Sequence, residues 1–156
     1  MIPEYKLYHG AVLAEIVHRH TGDLAIRDLH EEGRPSSYIL NGKVGLHIKH
    51  ASQRLHPWPF VFTKTNLAML QEMREVGPAV FCVFVCHTDG MACVLFDELQ
   101  EVLVTGGTEQ AWVRLDRRKG EWYRVSGGKG DLAAKKPNGV DAVLEALSPH
   151  ATLRYA

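Results

Sequence analysis

The chain has 156 residues and a mass of 17.5 kDa, with 46% hydrophobic and 23% charged residues, enough to close one core and too few for two comfortable ones. Its 18 Lys and Arg balance 18 Asp and Glu, which excludes a uniformly basic nucleic-acid coat and an acidic tail. The longest apolar run, Ala79–Cys86, has 8 residues, too short for a membrane-spanning helix, so no membrane partner is expected. The opening MIPEYKLYHGAVLAEIVHRH interrupts its apolar positions with charge and does not read as a secretory signal. Three cysteines, an odd number, fit a reducing cytoplasm better than a disulfide framework.

In chain order, Val12, Leu13, Ile16 and Val17 at helical spacing predict a helix over 7–20. Residues 24–29 (LAIRDL) partly alternate apolar with polar and suit a strand, and Ser37–Leu40 is a second. Asn41-Gly42 then signals a hairpin, because a type I′ turn needs positive φ at both positions, and 44–48 returns as a third strand. His56-Pro57-Trp58-Pro59 is expected to be a loop, since proline denies helix and ladder hydrogen bonds. Thr65 is expected to cap a helix over 66–76 that Gly77-Pro78 stops. Ala79–Cys86 reads as a buried strand, turned by Thr88-Asp89-Gly90 into a partner over 91–96. Asp97 looks like the cap of a short helix over 98–103. Residues 112–115, 122–125 and 132–134 read as a carboxy-terminal antiparallel meander, with Gly127-Gly128-Lys129-Gly130 as a hairpin tip, and Asn138 caps a last helix through Leu147. The fold class that follows is α+β or mixed α/β, a sheet of about five to seven strands covered by helices.

Net neutrality hides a partition. Residues 33–71 contain no Asp or Glu, while Arg34, Lys43, Lys49, Arg54 and Lys64 supply five cations among His47, His50, His56, Tyr38, Trp58 and Phe60. Residues 108–138 add eight cations, Arg117, Arg118 and Lys119 among them, against four acids. Basic tracts interleaved with aromatics are what a surface needs to follow a phosphate backbone and stack on bases.

A helix carrying Glu15, strands, a hairpin ending in Ile48-Lys49, a helix and a further buried strand together resemble the core of the PD-(D/E)xK, or restriction-endonuclease-like, superfamily. That resemblance covers roughly residues 7–96 and implies a core sheet flanked by helices, with the meander outside it. It divides a single 1–156 unit into a nuclease-like core (1–105), a basic meander (106–138) and a helix with tail (139–156). It also implies a divalent cation, Mg²⁺ or Mn²⁺, held by a helix acid, a strand Asp and a second strand acid beside a lysine. Here Glu15 matches the helix acid and Lys49 the lysine, while Asn41 falls at the Asp position and His47 at the second acid. Mg²⁺ prefers hard, charged oxygen ligands, and an imidazole suits Zn²⁺, Fe or Ni²⁺ better, so the site is degenerate in that family's terms. Strand alternation puts Gly45, His47 and Lys49 on one face and Val44, Leu46 and Ile48 on the other. The apolar face should meet the core, which turns His47 and Lys49 toward solvent or a cleft.

Other chemistry is weaker. Cys82 and Cys86 would lie about 13 Å apart along a regular strand at ~3.3 Å per residue, too far to share one zinc, and Cys86-His87 point to opposite faces; buried inert thiols are expected. No GxxxxGK[ST] or GxGxxG loop is present. In the stiff string Arg54–Phe60, Trp58 serves either as a stacking platform or as a plug for the core.

The expectation is therefore a cytoplasmic protein that binds DNA or RNA through a basic groove on a nuclease-like fold. Lys43, Lys49, Arg54, Trp58, Lys64, Arg117, Arg118 and Lys119 line that groove. If it hydrolyses phosphodiesters, the resemblance assigns the site to Glu15, Asn41, His47 and Lys49. The alternative is a protein–protein module, a small accessory or immunity-type subunit or a homodimer, anchored by Trp58, Trp112 and Trp122.

Overall fold

The elements in chain order are α1 (Glu4–Arg19), β1 (Ile26–Asp28), β2 (Ser37–Leu40), β3 (Val44–Ala51), β4 (Trp58–Phe62), α2 (Lys64–Val76), β5 (Ala79–Cys86), β6 (Gly90–Leu95), α3 (Phe96–Leu99), β7 (Ala111–Asp116), β8 (Arg124–Gly127), β9 (Gly130–Asp131) and α4 (Asp141–Leu147). The computed structural model describes residues 1–29, 36–77, 79–107 and 110–149; Arg34 and the carboxy-terminal tail lie outside them. The class is α+β. A mixed sheet of five strands runs β1-β2-β3-β5-β6, and a second, antiparallel sheet of four runs β4-β7-β8-β9. Among the described residues no helix is long and apolar enough to cross a membrane.

The hairpin at Asn41-Gly42 has the geometry its dipeptide demands, with φ of 52° and 67°. It sets Ser37 opposite His47 and Leu40 opposite Val44. β3 then runs parallel to β5 over its whole length, Val44 facing Ala79 and Ala51 facing Cys86. A parallel neighbour needs a crossover, and β4 with α2 supplies it.

The large sheet is buried on both faces, as a strand that reads AVFCVFVC must be. On one face Val44, Leu46, Ile48, Phe81, Val83 and Val85 pack with Val12 and Ile16 of α1 and Val143 and Leu147 of α4. On the other, Val80, Cys82, Phe84 and Cys86 pack with Leu70 and Met73 of α2 and with the inner face of the small sheet. Gly45 lies on this second side because a Cβ there would stand 2.6 Å from the Met73 methyl. All three thiols are free and buried, as expected.

Several local expectations are corrected. Residues 58–59 are not loop but the start of β4, because β4 is the edge of its sheet. A proline is tolerated at such an edge, where its missing N–H need not break the ladder. Trp58, Phe60 and Phe62 point inward from it. The cap of α2 is Thr63, not Thr65: its hydroxyl accepts from the Asn66 amide while Asn66 Oδ1 accepts from the Thr63 amide, both at 3.0 Å. Asp97 pairs with Arg74 (3.0 Å) rather than capping, so α3 begins at Phe96. Asn138 accepts the Met91 amide and pins β6 instead of starting α4. Residues 132–134 are not a strand; β9 ends at Asp131, directly after the glycine hairpin.

Candidate anion-binding cleft

β2 stops at Ser37 while β3 continues to Ala51, so the last residues of β3 stand beyond their neighbour. A cleft of about 1310 Å³ opens there. β3 supplies His47, Lys49 and His50; β4 supplies Pro59 and Val61 along its free edge; the amino end of α2 supplies Thr63, Thr65 and Asn66. Tyr5 and His9 of α1 close the near side. No Asp or Glu occurs among the described lining residues.

Lys49 is the centre of charge. Its Nζ donates to Asn66 Oδ1 at 2.7 Å and sits 4.9 Å from the centre of the Phe62 ring. Burial pulls its pKa down to about 8, with a smaller opposing influence from Cys82. The first amides of α2, those of Lys64 and Thr65, have no acceptor within the helix, and the helix dipole adds partial positive charge there. An ammonium and a helix amino terminus thus meet in one space.

The imidazoles differ from Lys49. His47 is 2% exposed, and its Nδ1 shares a 2.8 Å hydrogen bond with the Ser37 hydroxyl; its Nε2 is buried without a partner. Burial, then the charges of Lys49 and His9, push its pKa down to about 3, so the ring is neutral. His9 shares a 2.9 Å hydrogen bond with the Tyr38 hydroxyl, and burial, with help from His50, lowers its pKa to about 4 against the pull of Asp28. His50 stacks on Tyr8 with ring centres 4.7 Å apart.

The residues that the nuclease resemblance assigns to a divalent cation do not fit that group. Glu15 belongs to α1, whose Val12 and Ile16 pack on the face of the sheet opposite His47, and its carboxylate points along the helix toward Arg19, which ties α1 to Asp141 of α4. Asn41 is spent on the hairpin: its Oδ1 accepts from Ala25 (2.7 Å) and its Nδ2 donates to the Asp23 carbonyl. The turn gives way to β3 at Val44, and His47 stands three residues further along it, about 10 Å at ~3.3 Å per residue. Of that set, His47 and Lys49 alone share the cleft.

The basic residues also part company. Lys64 is exposed at the first position of α2, and Arg54, Arg118 and Lys119 are exposed on turns. Lys43 donates to the Ser148 carbonyl at the far end of β3. Arg117 is not free: its side chain is 8% exposed and binds Asp89 at 2.7 Å, the Asp89 carbonyl and the Glu121 carbonyl, over the ring of Tyr123. Trp58, 2% exposed and edge-on to Tyr123, is a core plug, which leaves Trp112 and Trp122 as the exposed indoles.

Sequence reasoning missed Asn66, Thr63 and Thr65 as lining residues. The Thr63-x-x-Asn66 spacing is a capping-box signal that places a helix amino terminus two residues upstream of Thr65. The chain matches no known protein family, no characterised protein and no solved structure.

Proposed function

We propose that the cleft binds the phosphate backbone of nucleic acid, with Lys49 and the amino terminus of α2 as its anion-binding centre. One observation carries this reading: a desolvated ammonium sits at the positive end of a helix with no carboxylate among the described lining residues. An ammonium and a helix amino terminus placed together favour an anion between them. Lys64, at the head of the same helix, extends the positive surface outward.

The order α1, β1 to β3, α2, β5, with β3 parallel to β5, supports a scaffold related to the restriction-endonuclease-like core. Lys49 is the residue that the resemblance matches to a phosphate-contacting lysine. The proposed role is binding, since Glu15 and Asn41 are engaged elsewhere.

Equilibrium titration of labelled oligonucleotides, single- and double-stranded, DNA and RNA, across a range of KCl tests this. Affinity should fall steeply with salt, and Lys49→Ala should weaken it and flatten the slope by about one. Binding indifferent to both salt and Lys49→Ala would refute the proposal. Incubation of the same mixtures with Mg²⁺ and with Mn²⁺ should leave the strands intact; cleavage lost in Lys49→Ala would make the site hydrolytic.

A further inference from the structure

We infer that the outer face of the small sheet is a base-stacking platform for single-stranded nucleic acid, centred on Trp112 and Arg114. The inference rests on the phosphate-binding reading of the cleft and adds to it the strandedness of the ligand.

The inner face of this sheet is spent on the core, through Trp58, Phe60, Phe62, Val113, Leu115 and Val125. Alternation therefore turns Pro59, Val61, Trp112 and Arg114 outward, and all four are exposed. Scattered apolar residues on a surface need no explanation, but contiguous ones do. Val61 lies directly opposite Trp112 in the β4–β7 ladder and Pro59 opposite Arg114, where cross-strand side chains touch. Trp112 is 42% and Val61 45% exposed. An indole held on a strand, not on a loop, is a rigid surface for a base.

Arg114 puts a cation directly beside the exposed indole of this face. The Arg114 guanidinium lies 5.6 Å from the Trp112 ring centre and forms no ion pair among the described residues. Two acids share the sheet with it: Asp116 is held by His56 (2.7 Å) and Arg124 (3.4 Å), while Asp131, which accepts from Ser126, keeps its charge at the far strand. Arg beside an exposed indole offers a phosphate contact next to a stacking surface, the pairing used by sequence-tolerant single-strand binders.

The platform is continuous with the cleft. Pro59 and Val61, which flank Arg114 and Trp112, also line the cleft, because β4 is the free edge of its sheet. A strand whose phosphate sits at Lys49 crosses β4 and meets Trp112 with its bases. A duplex keeps its bases stacked on one another and has none to offer this face.

The test is fluorescence anisotropy with labelled oligo(dT) of about ten nucleotides and a blunt duplex of the same length. It compares wild type, Trp112→Ala, Trp112→Phe, Arg114→Ala, Trp122→Ala and Lys49→Ala, with thermal midpoints measured alongside. Trp112→Ala should weaken oligo(dT) binding about 5- to 150-fold and leave duplex binding unchanged. Trp112→Phe, which keeps a ring, should recover part of the loss, and Trp122→Ala should lose nothing. Arg114→Ala, which keeps the indole, should weaken oligo(dT) binding and flatten its salt slope even if Trp112→Ala folds poorly. Unchanged oligo(dT) affinity in Trp112→Ala, or an equal loss for duplex, overturns the platform; Lys49→Ala still weakening both ligands would leave the cleft standing. Lys49→Ala without effect on either ligand overturns the cleft and the platform with it.

Discussion

The ammonium of Lys49 lies 2.7 Å from Asn66 Oδ1, the oxygen that also accepts the Thr63 amide at 3.0 Å. One side-chain carbonyl therefore serves a helix cap and a buried cation together. The amide oxygen is neutral, so it satisfies the hydrogen bond without balancing the charge, and the helix amino terminus opposes that charge. Sites that hold unfavourable charge for a ligand trade stability for binding. Lys49→Met, which keeps the stem against Phe62 and removes the charge, should raise folding stability by about 1 kcal/mol while weakening oligonucleotide binding. Urea unfolding beside the binding titration measures both, and a less stable Lys49→Met protein would mean that the ammonium is satisfied without an anion.

Two imidazoles make the fold acid-sensitive. His9 and His47 have pKa values pushed down to about 4 and about 3, in each case chiefly by burial, whereas in the unfolded chain both titrate near the ordinary value of 6.5. Between these limits the unfolded chain binds more protons than the folded one. The stability is fully present above about pH 6.5 and is lost as pH falls toward 4. Each group contributes a slope of about 1.4 kcal/mol per pH unit in the middle of that window. Urea midpoints followed from pH 7 down to about 4.5 should fall, with His50, whose pKa burial also lowers, adding to the effect, and His9→Gln should make the dependence shallower. A flat profile would mean that these rings are protonated in the folded protein.

The core was legible from local pattern: run length, β-branched and aromatic content and flanking turn signals for β5, alternation for β3. AVFCVFVC, short, rich in valine and phenylalanine and closed by Thr88-Asp89-Gly90, reads as a strand buried on both faces, and alternation along β3 sorts Val44, Leu46 and Ile48 from Gly45, His47 and Lys49. β4 was not legible, since Pro59 argues against a ladder unless the strand is known to be an edge, and edge position is set by β7, some fifty residues away. Without β4 the second sheet reduces to a hairpin meander, and the wall of the cleft disappears.

The site was half legible for a related reason. Lys49 and His47 share a strand face, so local geometry joins them. Glu15, Asn41 and His47 were joined by element order, and order does not say which face of the sheet a helix covers. The part of α1 that carries Glu15 covers the face away from His47, because Val12 and Ile16 match the apolar residues of β3 there, and only its first turns, at Tyr5 and His9, reach the cleft. Charge counting misled at Arg117 in the same way: a cation in a basic tract looks available until Asp89 arrives from another hairpin.

That Arg117–Asp89 contact joins the two sheets. The carboxylate of Asp89 also accepts from the Tyr123 hydroxyl at 2.5 Å, and the guanidinium lies 4.3 Å from the Tyr123 ring centre. Removing one partner strands the other in a poorly hydrated place. Arg117→Ala should lower stability by about 2–4 kcal/mol and leave oligonucleotide affinity unchanged. Arg117→Lys should recover little, since a single ammonium cannot reach Asp89 and the Glu121 carbonyl together. A binding loss in Arg117→Lys without a stability loss would place this residue on the ligand.

Ser37 and His47 bridge β2 and β3 at the register position where the two strands part. The imidazole already has one unpartnered nitrogen, so the hydroxyl supplies the single hydrogen bond it has. Ser37→Ala leaves both nitrogens unsatisfied and should lower stability by about 1–3 kcal/mol. Replacing both residues by apolar ones removes the stranded groups altogether, and Ser37→Ala combined with His47→Leu should be more stable than Ser37→Ala alone. A double-mutant cycle in urea reads the coupling, expected at about 1 kcal/mol or more between residues in direct contact. Additive losses would mean that the bond contributes nothing beyond packing, and His47 would then be retained for its volume between Ser37 and Phe62.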